Sequence, residues 1–307
     1  MQLVSLFVAV TDTSWFDYLR HQSDLDEVNF WQPGGGTNFR ALEAGELFLF
    51  KLHSPRNFIV GGGIYYRSLI LPISVAWETF GNANGHPTLE GMRQKISEYR
   101  RVTDSNEDYK IGCRILTQPF FLSEREWIPV PSSWSRQIVV GKRYTTDDLE
   151  GGHLWEVMND HLGRIGTIGL SDVPQARYGE PALVKPRLGQ GAFRIAVIDA
   201  YRRCAVTGEK TLPALEASHI QLFARGGEHR IENGLLFRRD IHTLFDRGYV
   251  TIVPDGRFEV SSRIKEEYEN GRDYYLMQGR KIIEPNNPDL KPSQKMLEWH
   301  NSNVFLS

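Results

Sequence analysis

Three polar side chains in the last third of the sequence have the types and the order that phosphodiester hydrolysis requires. Asn233 follows His219 after fourteen positions, and His242 follows Asn233 after nine. The reaction needs a base to deprotonate water, a divalent cation to stabilise charge on the phosphate, and a group that holds the base in position. Neutral histidine is available at physiological pH, so we expect His219 to be the base. We assign the cation to His242 and the positioning to Asn233.

The elements around these residues are predicted to bring them together. Residues 204–252 read CAVTGEKTLPALEASHIQLFARGGEHRIENGLLFRRDIHTLFDRGYVTI. The pattern predicts a β-hairpin folded over a helix, with His219 ending the first strand, Asn233 in the turn at the second strand, and His242 in the first turns of the helix. Asp246, four residues after His242, lies on the same helix face and could share the metal or orient the histidine.

This segment resembles the HNH, or ββα-metal, nucleases, and in particular the branch that lacks zinc-binding cysteine pairs. The motifs that carry the resemblance are CAVTG, SHI, NGL and HTLFD, in that order. The preceding AFRIAVIDAYRR resembles the helix that leads into this domain. The resemblance implies that His219, Asn233 and His242 are catalytic. It also implies one bound divalent metal ion, which could be magnesium, manganese, cobalt or nickel.

The metal ligands other than His242 stay open at this point. Many members of the family place an aspartate or a histidine directly before the base, and here that residue is Ser218. Ser218 is therefore one candidate ligand, and Glu216 or Asp246 could complete the set instead. The sequence has two cysteines and no CxxC motif, so we expect no structural zinc.

The first 150 residues have a different pattern. Short apolar runs between glycines and prolines predict a β-rich domain, and TLEGMRQKISEYRR predicts a helix from Thr88 to Arg101. The predicted strands include LVSLFVAV, GELFLFKL, NFIVGGGIYY, SLILPISVAW, YKIGCRIL and RQIVVGKRY. The runs NFWQPGGGTNF, GELFLFKL and IVGGG resemble the EVE and PUA-like domains, which are small β-barrels of which several bind modified bases.

We therefore expect an α+β protein with three parts. An EVE/PUA-like domain, resembling a β-barrel and recognising a modified base, is expected over residues 1–150. A polar, glycine- and proline-containing linker is expected over 151–190, followed by a ββα-metal (HNH) nuclease domain over 191–307. The residues after 262 are expected to pack on the nuclease core and to help grip DNA.

The resemblance of the first domain implies a pocket for a base extruded from the duplex. Such a base is read by stacking on aromatic rings and by hydrogen bonds to its edge. The candidate stacking residues are Trp31, Tyr65, Tyr66 and Trp77, and the candidate edge contacts are Asn38 and Ser68. Trp31 is the first choice, because the sequence around it predicts a polar, glycine-rich loop.

Bulk charge does not indicate nucleic-acid binding. The chain has 36 basic and 38 acidic residues, which gives a formal net charge of −2. Contacts to DNA phosphates must therefore come from local arginines. The arginines around the predicted site are Arg225, Arg230, Arg238 and Arg239, and those that precede it are Arg187, Arg194, Arg202 and Arg203.

Together these features predict an endonuclease that cuts double-stranded DNA containing 5-methyl- or 5-hydroxymethylcytosine, in the manner of type IV restriction. Two alternatives stay open: an HNH nuclease with another trigger, such as RNA or unmodified DNA, and a reader of modified DNA whose HNH module is inactive. One HNH site cuts one strand, so double-strand cleavage implies a homodimer or two separate nicks. We expect a cytoplasmic protein without membrane contact, because the sequence shows neither a secretory signal nor an apolar run that could span a bilayer.

Overall fold

The computed structural model describes residues 4–34, 39–100, 108–169, 188–222 and 225–307, with the backbone alone over 161–169. The chain divides into two compact units, residues 1–187 and 188–307. Within the described ranges, no helix combines the length and the apolar character needed to cross a membrane. Each unit has its own sheet structure and its own core.

The first unit is built on one mixed sheet of seven strands. The strands are β1 (Ser5–Thr11), β2 (Glu27–Gln32), β3 (Leu47–Leu52), β4 (Phe58–Pro72), β5 (Lys110–Phe121), β6 (Ile128–Pro129) and β7 (Gly141–Thr145). Their order is β2-β5-β4-β3-β1-β7, with β6 paired to β4. β1 runs parallel to β3, and β1 and β7 are antiparallel. The mixed α+β class is as expected. In the described residues the strand order ends at β2 on one side and at β7 on the other, so closure into a barrel is not shown.

Both faces of this sheet are covered. Side chains alternate across a strand, and β3 is buried along its whole length. Its Phe48 and Phe50 lie in a core rich in phenylalanine, whereas Leu47 and Leu49 lie in a second core on the other face. Strands buried on both faces are close to continuously apolar, which explains the LFLFKL sequence.

In the described residues of the first unit, four α-helices accompany the sheet. They are α1 (Thr13–Leu19), α2 (Ile73–Phe80), α3 (Leu89–Tyr99) and α4 (Leu149–Gly169). The predicted helix at Thr88 is confirmed as α3, and the Thr88 hydroxyl caps it by accepting a hydrogen bond from Gly91 N at 3.1 Å. The run SLILPISVAW is not a single strand, because β4 ends at Pro72 and α2 begins at the next residue. Proline cannot extend the ladder by an N–H group but is tolerated where a helix starts.

Helix α4 occupies the first part of the segment expected to be a linker. Leu154 and Met158 of α4 are buried in the same core as residues of β1. Gly151 is required in the first turn, since a Cβ there would lie 2.1 Å from the Thr145 carbonyl oxygen. Residues 151–160 therefore belong to the first unit. The part of the predicted linker over 170–187 lies outside the described residues.

The second unit combines small sheets with helices. Its elements are α5 (Gln190–Tyr201), β8 (Leu215–His219), β9 (Gly234–Arg238), α6 (Arg239–Asp246), β10 (Val250–Ile252), β11 (Phe258–Val260), α7 (Arg263–Tyr268), α8 (Arg272–Tyr275) and α9 (Gln294–Asn303). β8 pairs with β9, and β10 pairs with β11. One core joins Phe193 of α5, Phe237 of β9, Phe245 of α6 and Leu297 of α9. The residues after 262 therefore pack on the core of this unit, as predicted.

Candidate active site

A β-hairpin and the helix that follows it carry the candidate active site. β8 and β9 pair antiparallel, in a register that places His219 opposite Gly234. Helix α6 follows β9 directly, and its Ile241 and Phe245 are fully buried in the core that the hairpin also contributes to. The remaining side of α6 carries His242, which contacts β8. This is the predicted arrangement of a hairpin folded over a helix.

His219 ends β8 and is held from two directions. Its ring stacks on Phe193 of α5, with centroids 3.9 Å apart and planes inclined by 14°. Its Nε2 lies 2.9 Å from Nδ1 of His229, so one of the two imidazoles donates and the other accepts. Burial of the ring, together with the electrostatic effect of the neighbouring His229, lowers the pKa of His219 to about 4. His219 is therefore neutral at pH 7, which is the state that a general base requires.

Asn233 is fully buried and fastens the loop that begins after β8. Its Oδ1 accepts a hydrogen bond from Gln221 N at 2.8 Å, and its Nδ2 donates to Gln221 O and Glu228 O, both at 2.9 Å. The backbone adds a bond from Ile220 N to Asn233 O at 2.9 Å. Gly227 completes the closure, because a Cβ there would lie 1.9 Å from the Gln221 carbonyl oxygen. The asparagine therefore positions the segment next to His219.

His242 lies between two carboxylates. Its Nδ1 is 2.7 Å from Glu216 Oε2, and its Nε2 is 3.2 Å from Asp246 Oδ2. Burial lowers the pKa of His242, but the hydrogen bonds to Asp246 and Glu216 outweigh it and the net pKa is raised. Arg239 Nε also contacts Glu216, 3.1 Å from Oε1. Both ring nitrogens thus face carboxylate oxygens, a setting that favours the protonated imidazole.

The side chains of this cluster fit a divalent cation by type. Carboxylate oxygens are ordinary ligands of magnesium and manganese, and an imidazole nitrogen is an ordinary ligand of cobalt and nickel. Across the described ranges, however, no three His, Cys, Asp or Glu side chains are arranged to hold a metal ion. The two ring nitrogens of His242 face the two carboxylates instead. A cation bound by His242 would have to take the place of one of these contacts.

Ser218 does not join this cluster, and its prediction as a metal ligand is corrected. The residue is fully buried, and its hydroxyl donates to the His219 carbonyl oxygen at 3.4 Å. A hydroxyl inside the core is not presented to the solvent from which a hydrated ion binds. Glu216 and Asp246 keep their places as candidate ligands, because both contact His242.

The four arginines predicted to contact DNA differ in their surroundings. Arg225 and Arg230 are exposed, and Arg230 forms an ion pair with Glu228. Arg238 is held by Asp240, with Nε 2.8 Å from Oδ1. Arg239 is exposed and contacts the carboxylate that also binds His242. Arg238 therefore has a structural partner within the unit. Among the arginines that precede the motif, Arg187 lies outside the described residues.

Trp31 lies on a strand and not in the predicted glycine-rich loop. It belongs to β2, and the glycine run follows after the strand has ended. Its Nε1–H group donates to the Asn84 carbonyl oxygen at 3.0 Å, and its ring lies 6.4 Å from that of Tyr99. The indole is partly exposed. Flanking glycines suggested a loop, but pairing with β5 fixes this segment as a strand.

Tyr65 is a core residue, which corrects its prediction as a stacking group. It is 5% exposed, and its ring packs 5.3 Å from that of Phe39. Ser68 donates from its hydroxyl to the Phe39 carbonyl oxygen at 3.2 Å. Inward-facing aromatic side chains of a sheet are the usual source of such a core.

The other predicted base contacts lie on different elements. Tyr66 is partly exposed on β4, with Arg67 Cζ 5.9 Å from its ring centre. Trp77 is partly exposed on α2, in a segment predicted as strand. Asn38 lies outside the described residues. The structure thus leaves Trp31, Tyr66 and Trp77 as the partly exposed aromatic candidates.

His229 and Phe193 were not predicted from the sequence. His229 follows the base by ten positions in GGEHRIENG, and Phe193 lies in the helix that leads into the motif. A histidine beside a double glycine in a polar loop was a weak signal, although its position within the loop that returns to Asn233 could have suggested contact with His219. The stacking of Phe193 depends on the docking of α5 and has no signal in the local sequence.

One family model matches the segment that carries this geometry. Residues 204–253 match the family model described as HNH endonuclease (HNH_2). The search of curated proteins found no match. Among solved structures, the chain is similar to one titled "Modification dependent TagI restriction endonuclease", at 11% sequence identity and a TM-score of 0.30, over 98% of this chain and 83% of that chain. The family match places an HNH endonuclease domain in the second unit, and the protein is a nuclease.

Proposed function

We propose that this nuclease is a metal-dependent DNA endonuclease that cuts DNA containing 5-methyl- or 5-hydroxymethylcytosine. The observation that carries the nuclease part is the placement of a neutral His219 on the same hairpin-and-helix as a carboxylate-bound His242, inside the segment that matches the HNH family. The modification part is supported by the EVE- and PUA-like motifs of the first unit.

In the proposed mechanism His219 takes a proton from water, which then attacks the phosphorus. The stacking contact with Phe193 and the hydrogen bond with His229 hold the ring in one orientation. Asn233 keeps the adjoining loop closed, so that the ring meets the scissile phosphate in a constant position. Orientation of this kind lowers the entropic part of the barrier before the chemical step begins.

Glu216, His242 and Asp246 would hold the metal ion. When bound, a divalent cation supplies positive charge to the phosphate and to the leaving oxygen. Of the two carboxylates, Glu216 is also paired with Arg239, whereas Asp246 is more exposed to solvent. We therefore assign Asp246 and His242 as the ligands that an incoming ion reaches first. Magnesium, manganese, cobalt and nickel are the candidate ions.

The first unit would supply recognition of the modified base. An enzyme that reads the C5 substituent of cytosine gains access to the whole base by extruding it from the stack. Trp31, Tyr66 and Trp77 are partly exposed and offer rings on which such a base could stack. Arg225, Arg230 and Arg239 lie at the surface of the second unit and would contact phosphates.

The proposal is tested with matched duplexes that contain unmodified cytosine, 5-methylcytosine or 5-hydroxymethylcytosine at one position. Each duplex is incubated with the protein and magnesium or manganese, and EDTA serves as the metal control. We expect cleavage of the modified duplexes alone, and only with metal. The variant His219→Ala should bind DNA like the wild type but cut it at least about a hundredfold more slowly. His153→Ala, which removes an exposed histidine outside the site, is the matched control and should cut normally.

The other outcomes separate the two alternatives. Equal cleavage of all three duplexes would keep the nuclease and exclude dependence on modification. Binding of modified DNA without metal-dependent cleavage would indicate a reader with an inactive HNH module. Cleavage by His219→Ala at the wild-type rate would remove this histidine from the mechanism.

A further inference from the structure

The Glu216 carboxylate is engaged at both of its oxygens, although it is one of the candidate metal ligands. Its Oε1 lies 3.1 Å from Arg239 Nε, and its Oε2 lies 2.7 Å from His242 Nδ1. The guanidinium of Arg239 is always positively charged in a protein. A cation that approaches Glu216 therefore competes with Arg239 for Oε1 and is repelled by its charge.

Arg239 lies on the same face of α6 as the metal cluster. It is the first residue of the helix, and His242 and Asp246 follow it by three and by seven positions. Residues at these intervals lie along one side of a helix. The side chain of Arg239 is 50% exposed, compared with 22% for His242 and 39% for Asp246. The arginine is thus the most solvent-exposed of the three, and the backbone of a bound duplex can reach it directly.

The neighbouring Arg238 is held more firmly than Arg239. Its Nε and Nη2 lie 2.8 and 2.5 Å from the two oxygens of Asp240, and these hydrogen bonds raise the pKa of Arg238. The contact of Arg239 with Glu216 is longer and lies at the surface. Exposed ion pairs contribute little to stability, because solvent competes for both partners. The pair of Arg239 and Glu216 can therefore exchange partners at small cost.

We propose that Arg239 exchanges Glu216 for the scissile phosphate when DNA binds, and that the released Glu216 carboxylate then completes the metal site. The proposal rests on the proposed function of the second unit and assigns Arg239 a role in the reaction beyond holding DNA. The exchange leaves no charge unpaired, since the phosphate pairs with the arginine and the carboxylate pairs with the cation.

A phosphate on bound DNA is a strong competitor for this guanidinium. Arginine and phosphate form charge-assisted hydrogen bonds that are frequently bidentate. Other contacts hold the duplex in place, so the local concentration of the phosphate at Arg239 is high. The duplex therefore displaces a single exposed carboxylate.

This exchange couples metal binding to DNA binding. Without DNA, His242 and Asp246 face the ion alone while Glu216 is held by Arg239. With DNA, the third ligand is available and the ion binds more tightly. The coupling is reciprocal, so the ion must strengthen DNA binding by the same factor. Assembly of the site thus waits for the substrate.

The test uses the full chain carrying His219→Ala, so that DNA is bound and not cut. The free-ion signal in electron paramagnetic resonance measures Mn²⁺ binding without DNA and with saturating duplex, after subtraction of binding by the duplex alone. We expect the duplex to tighten Mn²⁺ binding by about tenfold. Adding Arg239→Gln should tighten the binding without DNA, because the competing charge is gone. It should also reduce the effect of the duplex to about twofold or less.

Arg230→Gln is the matched control. Arg230 is also exposed and pairs with a glutamate, Glu228, with Nε 2.5 Å from Oε2. Its loss removes the same charge from the same unit and should weaken DNA binding, but the effect of saturating duplex on Mn²⁺ should stay about tenfold. Glu216→Gln, with Arg239 intact, should lose that effect.

Two results would overturn the exchange. One is an equal effect of the duplex on Mn²⁺ binding in Arg239→Gln and Arg230→Gln. The other is a full effect in Glu216→Gln, since the carboxylate would then not be the released ligand. A different result refutes the metal dependence of the proposed function and the exchange with it. In that case the protein binds no Mn²⁺ beyond the amount held by the duplex, and the chain with His219 intact cuts DNA in EDTA.

Discussion

The two predicted catalytic histidines differ in protonation because their neighbours differ. His219 is partly buried and lies next to another histidine, and both conditions disfavour a positive charge. His242 contacts two carboxylates, which favour it. When the surroundings move the pKa values of two groups apart in this way, the neutral group can accept a proton and the charged group can serve an electrostatic role. Here His219 is suited to the first role and His242 to the second. The roles expected from spacing alone thus have a physical basis in single contacts.

His229 is expected to act as a positioning residue for His219. Replacing it with alanine removes the hydrogen bond at Nε2 and leaves the stacking on Phe193 as the main restraint. We expect kcat to fall by about tenfold or more, as for other partners that orient a functional histidine, with KM for DNA little changed. His229→Asn places an amide near the former Nδ1 and should recover part of the rate. Steady-state cleavage of a modified duplex checks this, and wild-type kcat in His229→Ala would refute it.

His300 makes the second unit sensitive to acid. Thr251 donates from its hydroxyl to Nδ1 at 2.8 Å, and Nε2–H donates to the Phe245 carbonyl oxygen at 3.1 Å, so the buried ring is held neutral. Burial lowers the pKa of His300 to about 4. The unfolded chain takes up this proton near pH 6.5, so stability is fully present above that pH and is lost as the pH falls towards 4. The loss amounts to about 3 kcal/mol.

Urea unfolding followed by circular dichroism between pH 7.5 and pH 4 measures this effect. His300→Gln should flatten the pH dependence, although not completely, because the pKa of His219 is also lowered. His153→Gln, at an exposed histidine, should leave the wild-type slope intact. An unchanged slope in His300→Gln would show that another group dominates the acid response.

At the scale of elements, the hairpin and α6 form one rigid arrangement because their buried side chains pack in the same core. Ile241 and Phe245 fix the helix by packing, and Asn233 fixes the returning loop by hydrogen bonds. Breaking the buried hydrogen bonds of the Asn233 amide is costly, so these contacts hold without a ligand. The side chains of His219 and His242 are therefore positioned before DNA binds, which is the condition for an efficient preorganised site.

Helix α4 should stabilise the first unit through its apolar side. Met158 is fully buried beside β1 residues, so Met158→Ala leaves a cavity in that core. We expect the free energy of unfolding of this unit to fall by about 2 to 5 kcal/mol. Glu156→Ala changes an exposed residue of the same helix and is the matched control. Equal stability of the two variants in urea unfolding would mean that residues 151–160 behave as a linker after all.

Sequence patterns predicted the second unit more completely than the first. His219, Asn233 and His242 carry a local signal, because their spacing reflects a hairpin and helix that are continuous in the chain. Trp31 and Tyr65 depend on which strands pair across the sheet, and one-dimensional patterns do not contain that information. Arg114 gives the sharpest example, since charge predicts exposure and the sheet buries it.

At the scale of the whole molecule, a net charge of −2 provides no general attraction to DNA. Binding must therefore rest on local contacts in the two units, each with its own core. The family match covers residues 204–253 alone. Under the proposed function, recognition and cleavage belong to separate parts of one chain. Attachment to a reading module would then restrict the nuclease, because its local concentration would rise only where the reader is bound.

Double-strand cleavage should require two copies of the chain, because one HNH site cuts one strand. A supercoiled plasmid with a single modified site distinguishes a dimer from two separate nicks. We expect wild-type protein to give linear DNA with little nicked intermediate. A tenfold excess of His219→Ala, a ratio at which most wild-type copies would be paired with an inactive copy, should convert the main product to nicked circles. Agarose gels measure the two products, and light scattering with modified duplex measures the mass of the complex. Linear DNA that forms only after nicked circles accumulate, with a complex of one chain, would show independent nicking by monomers.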